Sequence, residues 1–554
     1  MRIEQTVAAR DAPRLGHTTH HRVFWLLVAI LIATPVSIVL LQIGSAALAP
    51  RSDAWAHLAE FVLPRVIGNT VWLVIGVTLC AAALGTALAW LTAVCEFPGR
   101  RFLAWALLLP LAIPGYVLAF VLVGMLEYSG PVQTLGRELF GPDLAIPAIR
   151  SRGGVILVLT LCLYPYVYLI ARNAFQTQGM RALEIGQSMG LSIRSGFFRI
   201  ALPLARPWIA GGALLVAMET LADFGTVSVF NYDTFTTAIY QAWFGLFSLE
   251  SAMQLASILV LFVFVIVVLE QRLRARADFA ATGSQGTGLG RLRLGPKSAF
   301  AATGFGFLVL ALGFVIPFCQ LIVWTFGSGS VFDARFFGYV WQTLVVASLG
   351  ALLTTVVAVC LAYAVRNRGG PARWLARWAT LGYALPGTVL AVGVFAPIVT
   401  LNNTVQELLV RAIGPDAPQI LLQSTLVAML LAYLIRFLAV AHSPVESNLL
   451  RITRSLDENS RILGVSGWQM LRRVHLPILR GGVLAAFTLT FVDIMKEMPI
   501  TLMTRPFGWE TLAVRVFEMT SEGEWARAAA PAVAIVLVGL IPVITLTRGS
   551  SRVD

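Results

Sequence analysis

The sequence predicts an all-α polytopic membrane protein with about 12 transmembrane helices in two pseudo-symmetric six-helix halves. Three observations carry this. First, 58% of the 554 residues are hydrophobic, only 12% are charged, and mean hydropathy is +0.80, more apolar surface than a soluble chain of this length can bury. Second, the apolar runs are continuous and reach the roughly 20 residues that a helix needs to cross a bilayer, unlike the alternating pattern of a β-barrel. Third, one polar, basic stretch occurs twice, each time after four apolar runs and before two more.

The elements follow in order. The first 22 residues are a polar tail bearing Arg2, Arg10, Arg14 and Arg22. The apolar run behind it is too long for a cleaved signal peptide, so it is expected as a retained span with the N-terminus inside. Spans are expected near 23–48, 66–95, 102–126, 153–171, 207–225 and 252–270, and again near 299–326, 339–365, 376–400, 419–441, 478–498 and 528–547. The first half is thus 23–270, the second 299–547, and 548–554 a short tail. Between the halves, 271–298 reads as a flexible linker, with six basic residues and a Gly/Ser/Thr-rich run over 281–290.

Charge placement orients the chain. With both termini cytoplasmic, 30 of the 41 Lys and Arg fall on the inside and 11 outside, as the positive-inside rule requires. This bias fits a bacterial inner membrane. It also accounts for the pI of about 10.1 without nucleic-acid binding, which so apolar a chain does not support. Cys80, Cys95, Cys162, Cys319 and Cys360 lie in or beside apolar runs with no CxxC pair and read as packing residues. His17, His20 and His21 read as part of a solvated tail.

The duplicated stretch runs over 181–203 and 456–477. Glu184, Gly186, Gly190 and Pro203 correspond to Glu458, Ser460, Gly464 and Pro477, each pair 274 residues apart. The glycines fall where a short amphipathic helix would end, and Ser192 and Ser466 follow as caps for the next one. The prolines fall where the next span would begin. The halves match elsewhere too: Ile113-Pro-Gly-Tyr-Val-Leu-Ala119 with Leu385-Pro-Gly-Thr-Val-Leu-Ala391, and Asn69-Thr70 with Gln342-Thr343. An even number of spans per half makes the repeats parallel, with a central pathway between them.

The two stretches resemble the cytoplasmic Glu-Ala-Ala loop in permease subunits of binding-protein-dependent ABC importers: a Glu, two small residues, a Gly four residues later, then an apolar run ending in Leu-Pro. Ile185 and Asn459 depart from Ala in the second place. The resemblance implies a type I ABC importer permease fold in which each loop is a coupling helix. It implies two copies of an ATPase subunit below and one extracytoplasmic substrate-binding protein outside. No phosphate-binding loop exists here, since the only lysines, Lys297 and Lys496, lack the Gly-Lys-Ser/Thr context. ATP and Mg are therefore expected on the partner, with no cofactor bound by this chain, which is not itself an enzyme.

Behind each loop, the fifth span of its half ends in a charged cluster. Glu219 and Asp223 in the first correspond to Asp493 and Glu497 in the second, again 274 apart, with Lys496 between the latter two and Tyr232 beyond the former. Ionisable groups in a span usually face an aqueous cavity or the protein interior, so these six are candidates for the pathway wall. Their alternatives are a structural pair, such as Asp493 with Lys496, or a helix-end contact. These segments resemble the ferric-iron branch of the permease family, in which both halves are fused. Thiamine, phosphonate and polyamine permeases look similar in outline. An ion-coupled secondary transporter is the rival class, though it gives no reason for the paired loops.

Overall fold

In the computed structural model, the described residues are 19–48, 53–143, 147–179, 184, 186–277, 291–327, 334–415, 418–419, 421–422, 425–465 and 467–550. Most of the N-terminal tail, the end of the C-terminal tail, the linker core 278–290, residues 180–183 and 185 of the first loop, and Ser466 lie outside them.

Among the described residues, twelve helices are long and apolar enough to cross a bilayer. Spans 1 to 6 are Val23–Ala46, Trp55–Val94, Gly115–Phe140, Arg152–Thr177, Ile193–Ala222 and Leu249–Arg272. Spans 7 to 12 are Pro296–Gly327, Ala334–Asn367, Gly387–Ile413, Leu426–Leu449, Leu471–Met495 and Trp525–Ile544. Large apolar side chains such as Leu31, Trp72, Leu261 and Phe300 stand exposed on their outer faces, where lipid replaces water as the solvent.

Two expected boundaries move. The runs near 102–126 and 376–400 are not continuous helices. Each opens with a short helix, Arg100–Ala106 or Gly370–Thr380, and a 3-10 turn, Leu109–Ala112 or Leu381–Ala384, before the chain breaks at a Pro-Gly pair. Pro114 and Pro386 take extended ψ values of 146° and 147° and become the N-caps of spans 3 and 9. Proline there has no N–H to leave unsatisfied.

Pro203 and Pro477 stand as expected in the first turn of helices Leu202–Ala222 and Leu476–Met495, but the spans themselves start earlier. Span 5 begins at Ile193, ten residues earlier, and a π-turn at Phe197–Ala201 carries it into Leu202–Ala222. The second half repeats this with helix Gly467–Met470, a π-turn at Leu471–His475, and Leu476–Met495. A wider turn immediately before proline is how a helix passes a residue that cannot donate to it.

The helices of each half pack around a three-helix core: spans 2, 4 and 5 in the first, spans 8, 10 and 11 in the second. The outer spans are exchanged. Span 1 lies against spans 8 and 9 and helix Gly370–Thr380, where Trp378 donates to Ser37 at 2.9 Å. Span 7 lies against the first half and span 12, where Phe307 stacks on Phe102 and Trp324 on Phe120. The two halves defined by sequence therefore share their cores.

The expected linker is ordered at both ends. Helix Leu249–Ala277 continues span 6 into it. At its far end, Leu292–Arg293 pairs in parallel with Cys95–Glu96, the loop between spans 2 and 3, and the Thr303 hydroxyl donates to the Pro98 carbonyl at 2.8 Å.

Candidate functional site

The two polar loops have the same backbone. In the first, Leu191 N–H donates to the Gly186 carbonyl at 2.9 Å and Gly190 N–H to Gln187 at 2.9 Å. In the second, Val465 N–H donates to Ser460 at 2.9 Å and Gly464 N–H to Arg461 at 3.0 Å. Both are Schellman ends, and their glycines stand at φ of 77° and 78°, a left-handed conformation that other residues adopt only at a cost.

The third place of the motif needs a small residue for a different reason. A Cβ on Gly186 would come within 3.2 Å of Ile200 and 3.5 Å of Gly196, on the helix that follows. Ser460 is buried at the matching place. Glu184 is half-buried and Glu458 exposed. Ser192 caps its helix as expected, accepting from Ser195 N–H at 3.3 Å. Beside the glycines, Met189 and Leu463 occupy equivalent positions and are 71% and 80% exposed.

The loops differ in how they are held. In the second half, Asp457 on helix Arg454–Ile462 accepts from Arg366 at 2.7 Å and pairs with His475 at 2.8 Å. His475 in turn contacts the Tyr363 hydroxyl, and Arg366 also donates to the Leu449 and Ile452 carbonyls. In the first half, an aromatic cluster does this work: the Trp90 ring lies 4.5 Å from Phe197 and 5.2 Å from Phe175.

Between the halves lies a cavity of about 230 Å³, and five of the six candidate pathway residues line it: Glu219, Asp223, Asp493, Lys496 and Glu497. Tyr232 is not among its lining residues. It packs against the first-half core and reaches the Asn69 carbonyl at 3.4 Å. Asn69-Thr70 and Gln342-Thr343 prove to be struts: Asn69 donates to Asp233 and Gln342 to Gly508, while Thr70 and Thr343 accept from Phe235 and Leu512 N–H.

Asp223 and Glu497 end their spans in matching ways. Asp223 accepts from Val227 N–H at 3.0 Å and from the Thr226 hydroxyl at 2.9 Å, capping helix Gly225–Val229. Glu497 accepts from Ile500 N–H at 3.0 Å, capping helix Pro499–Thr504. The repeated Pro-Gly pairs meet these carboxylates. A Cβ on Gly115 would lie 2.7 Å from Thr226 Oγ1, and one on Gly387 only 2.8 Å from Glu497 Oε1. Spans 3 and 9 therefore point their N-termini at the two acids, a favourable placement for negative charge.

Four further residues were missed from the sequence. Arg436 on span 10 stands 3.6 Å from Glu497 and donates to the Leu385 carbonyl at 2.7 Å. The Tyr383 hydroxyl donates to Glu219 at 3.2 Å, and Tyr116 and Tyr166 complete the wall. Arg436 carried a readable signal, a lone cation within an apolar run; the tyrosines carried none. Lys496 pairs with Asp493 at 3.0 Å, the local pair weighed above. Four carboxylates against two cations leave the wall formally negative. Among the described residues, no group of three or more His, Cys, Asp or Glu is arranged to hold a metal ion.

The family described as binding-protein-dependent transport system inner membrane component matches this chain twice, over residues 81–276 and 350–553. The chain belongs to that family. Two copies in one polypeptide make it a fused, two-domain permease of the ABC importer class, a multi-pass membrane protein that is not itself an enzyme. The ion-coupled secondary transporter is thereby set aside. The family works with a substrate-binding protein and an ATPase. Among its relatives, the Fe(3+)-transport system permease protein FbpB 2 of Haemophilus influenzae is 29% identical over 88% of this chain and 90% of its own length. A second Haemophilus influenzae protein, named for ferric transport, is 24% identical over 80% of this chain and 70% of its own. A Salmonella typhimurium permease named for 2-aminoethylphosphonate transport is 31% identical over 37% of this chain and 71% of its own.

Proposed function

We propose that this permease carries ferric iron inward, released to it by an extracytoplasmic binding protein and driven by two copies of an ATPase subunit. The observation that carries the substrate is the cavity wall: carboxylates from both halves face one space, and hard oxygen donors suit a trivalent cation. The similarity to a ferric permease along nearly the whole of both chains supports the same choice. A phosphonate would need free cations, yet Arg436 and Lys496 both stand beside carboxylates.

Glu184, Gly186, Gly190 and Pro203, with Glu458, Ser460, Gly464 and Pro477, form the two coupling surfaces in this reading. Each loop docks in one ATPase, on the cytoplasmic side with both chain termini. Because span 5 and span 11 begin inside their loops, a push on a loop passes along a helix to Glu219–Asp223 or Asp493–Glu497. ATP and Mg act on the partner, and this chain binds no cofactor. The test is labelled ferric-iron uptake in cells lacking the chain, with and without its restoration. Restored uptake supports iron; uptake unchanged by restoration removes iron, and the same cells are then assayed with 2-aminoethylphosphonate.

A further inference from the structure

The cavity is built unevenly, and the unevenness concerns one side chain. Asp223 is satisfied within its own segment, by Thr226 and Val227. Its counterpart Glu497 uses Oε1 for Ile500 N–H, while Oε2 faces Arg436 Nε at 3.6 Å, beyond a good hydrogen bond. Arg436 Nε makes no hydrogen bond at all, although the side chains of Arg436 and Glu497 are only 13% and 8% exposed. A second orphan lies in the same wall. Tyr116 is 7% exposed, and its buried hydroxyl has no partner. Buried polar groups are ordinarily satisfied, and exceptions point to a role.

We infer that Arg436 is a tethered stand-in cation: it neutralises Glu497 while the cavity is empty and gives way when a hard metal cation arrives. The inference rests on the cation reading above and deepens it. The incoming ion meets Glu497 Oε2, the Glu219 carboxylate and the unpartnered Tyr116 hydroxyl, all oxygen donors. Arg436 keeps its hold on the Leu385 carbonyl, at the cap of span 9, so it retreats without leaving the wall. Competition from a built-in cation keeps the ion weakly held. A permease needs that, since an ion bound tightly in transit is not released.

The probe is Tb(3+), a hard trivalent cation whose luminescence is sensitised by tyrosine, titrated into the purified full-length chain in detergent. Arg436→Gln is expected to bind Tb(3+) about ten-fold more tightly than the wild type, a difference of about 1.4 kcal/mol. Arg436→Gln combined with Glu497→Gln is expected to lose that gain, and Tyr116→Phe to lose part of the sensitised signal. Should Arg436→Gln fail to fold, Arg436→Met carries the test, because it also removes the charge while keeping a long side chain; it is expected to show the same gain of about ten-fold. Unchanged or weaker binding in whichever folded variant is measured overturns the proposal. The iron uptake assay fails or succeeds separately, so a wrong substrate and a wrong role for Arg436 give different results.

Discussion

The two halves of this permease share a backbone plan and differ in the side chains laid over it. At both loops, a glycine near φ 78° closes a Schellman turn, a small residue is buried two residues after the Glu, and a π-turn precedes the proline. At both span ends, a carboxylate caps a short helix under a Pro-Gly pair. Yet the first loop is held by aromatic rings and the second by the Asp457–His475–Tyr363–Arg366 network. The first carboxylate is hydrogen-bonded by its own neighbours, the second is paired with Arg436 from another span. Backbone geometry constrains residue type through sterics that no partner can relieve. Side-chain contacts can be made in several chemistries, so they are where duplicated halves diverge.

This comparison can be broken or sharpened by experiment. The largest effect is expected at the shared turn. Gly464→Arg, and equally Gly190→Arg, should lower ATP-driven uptake by about ten-fold or more without reducing membrane insertion. A side chain there costs roughly 1–2 kcal/mol of backbone strain and also stands on the exposed face. Normal uptake by either variant, measured against insertion by immunoblot, would show that the loops are not equivalent.

Next is the unequal tethering. Asp457→Ala leaves Arg366 and His475 without their carboxylate and should destabilise the second half by about 3 kcal/mol, read as a lower thermal midpoint in detergent. The first half has no such carboxylate to lose: the matching position is Leu183. Smaller is the pair at the carboxylates. Gly387→Ala drives a Cβ to within 3 Å of two groups, Glu497 and the Pro499 ring, whereas Gly115→Ala comes that close to one, the Thr226 Oγ1. Both overpack by about 1–3 kcal/mol, and Gly387→Ala should be the worse in the same thermal assay. Equal shifts would remove the distinction. Smallest is Ser192→Ala, which removes one helix cap at about 1 kcal/mol and should be detected only as faster proteolysis of the first loop.

Much of this was legible in the sequence because membrane spans and tight turns are local properties. Continuous apolar runs announce helices, and a Glu, small residue and Gly at fixed spacing announce a turn. The Pro-Gly pairs were visible too, but their meaning as caps that begin spans 3 and 9 depended on the carboxylates they approach. The exchange of spans 1 and 7 between halves was not legible, since lipid-facing and protein-facing apolar side chains read alike. Glu219, Asp223, Asp493 and Glu497 stood out because charge in a span is costly, and Arg436 deserved the same reading. Tyr116, Tyr166 and Tyr383 join the wall only through folding, and Tyr232, close to Asp223 in sequence, turns away to Asn69.

The central claim is that the two turns are paired contact points for an ATPase. The most direct measurement is site-specific cross-linking from Met189→Cys and Leu463→Cys, the exposed equivalents beside the two glycines, in the assembled complex with its ATPase. The account predicts that each position cross-links to one ATPase subunit and that ATP changes both yields. An assembled complex in which neither position cross-links would contradict it.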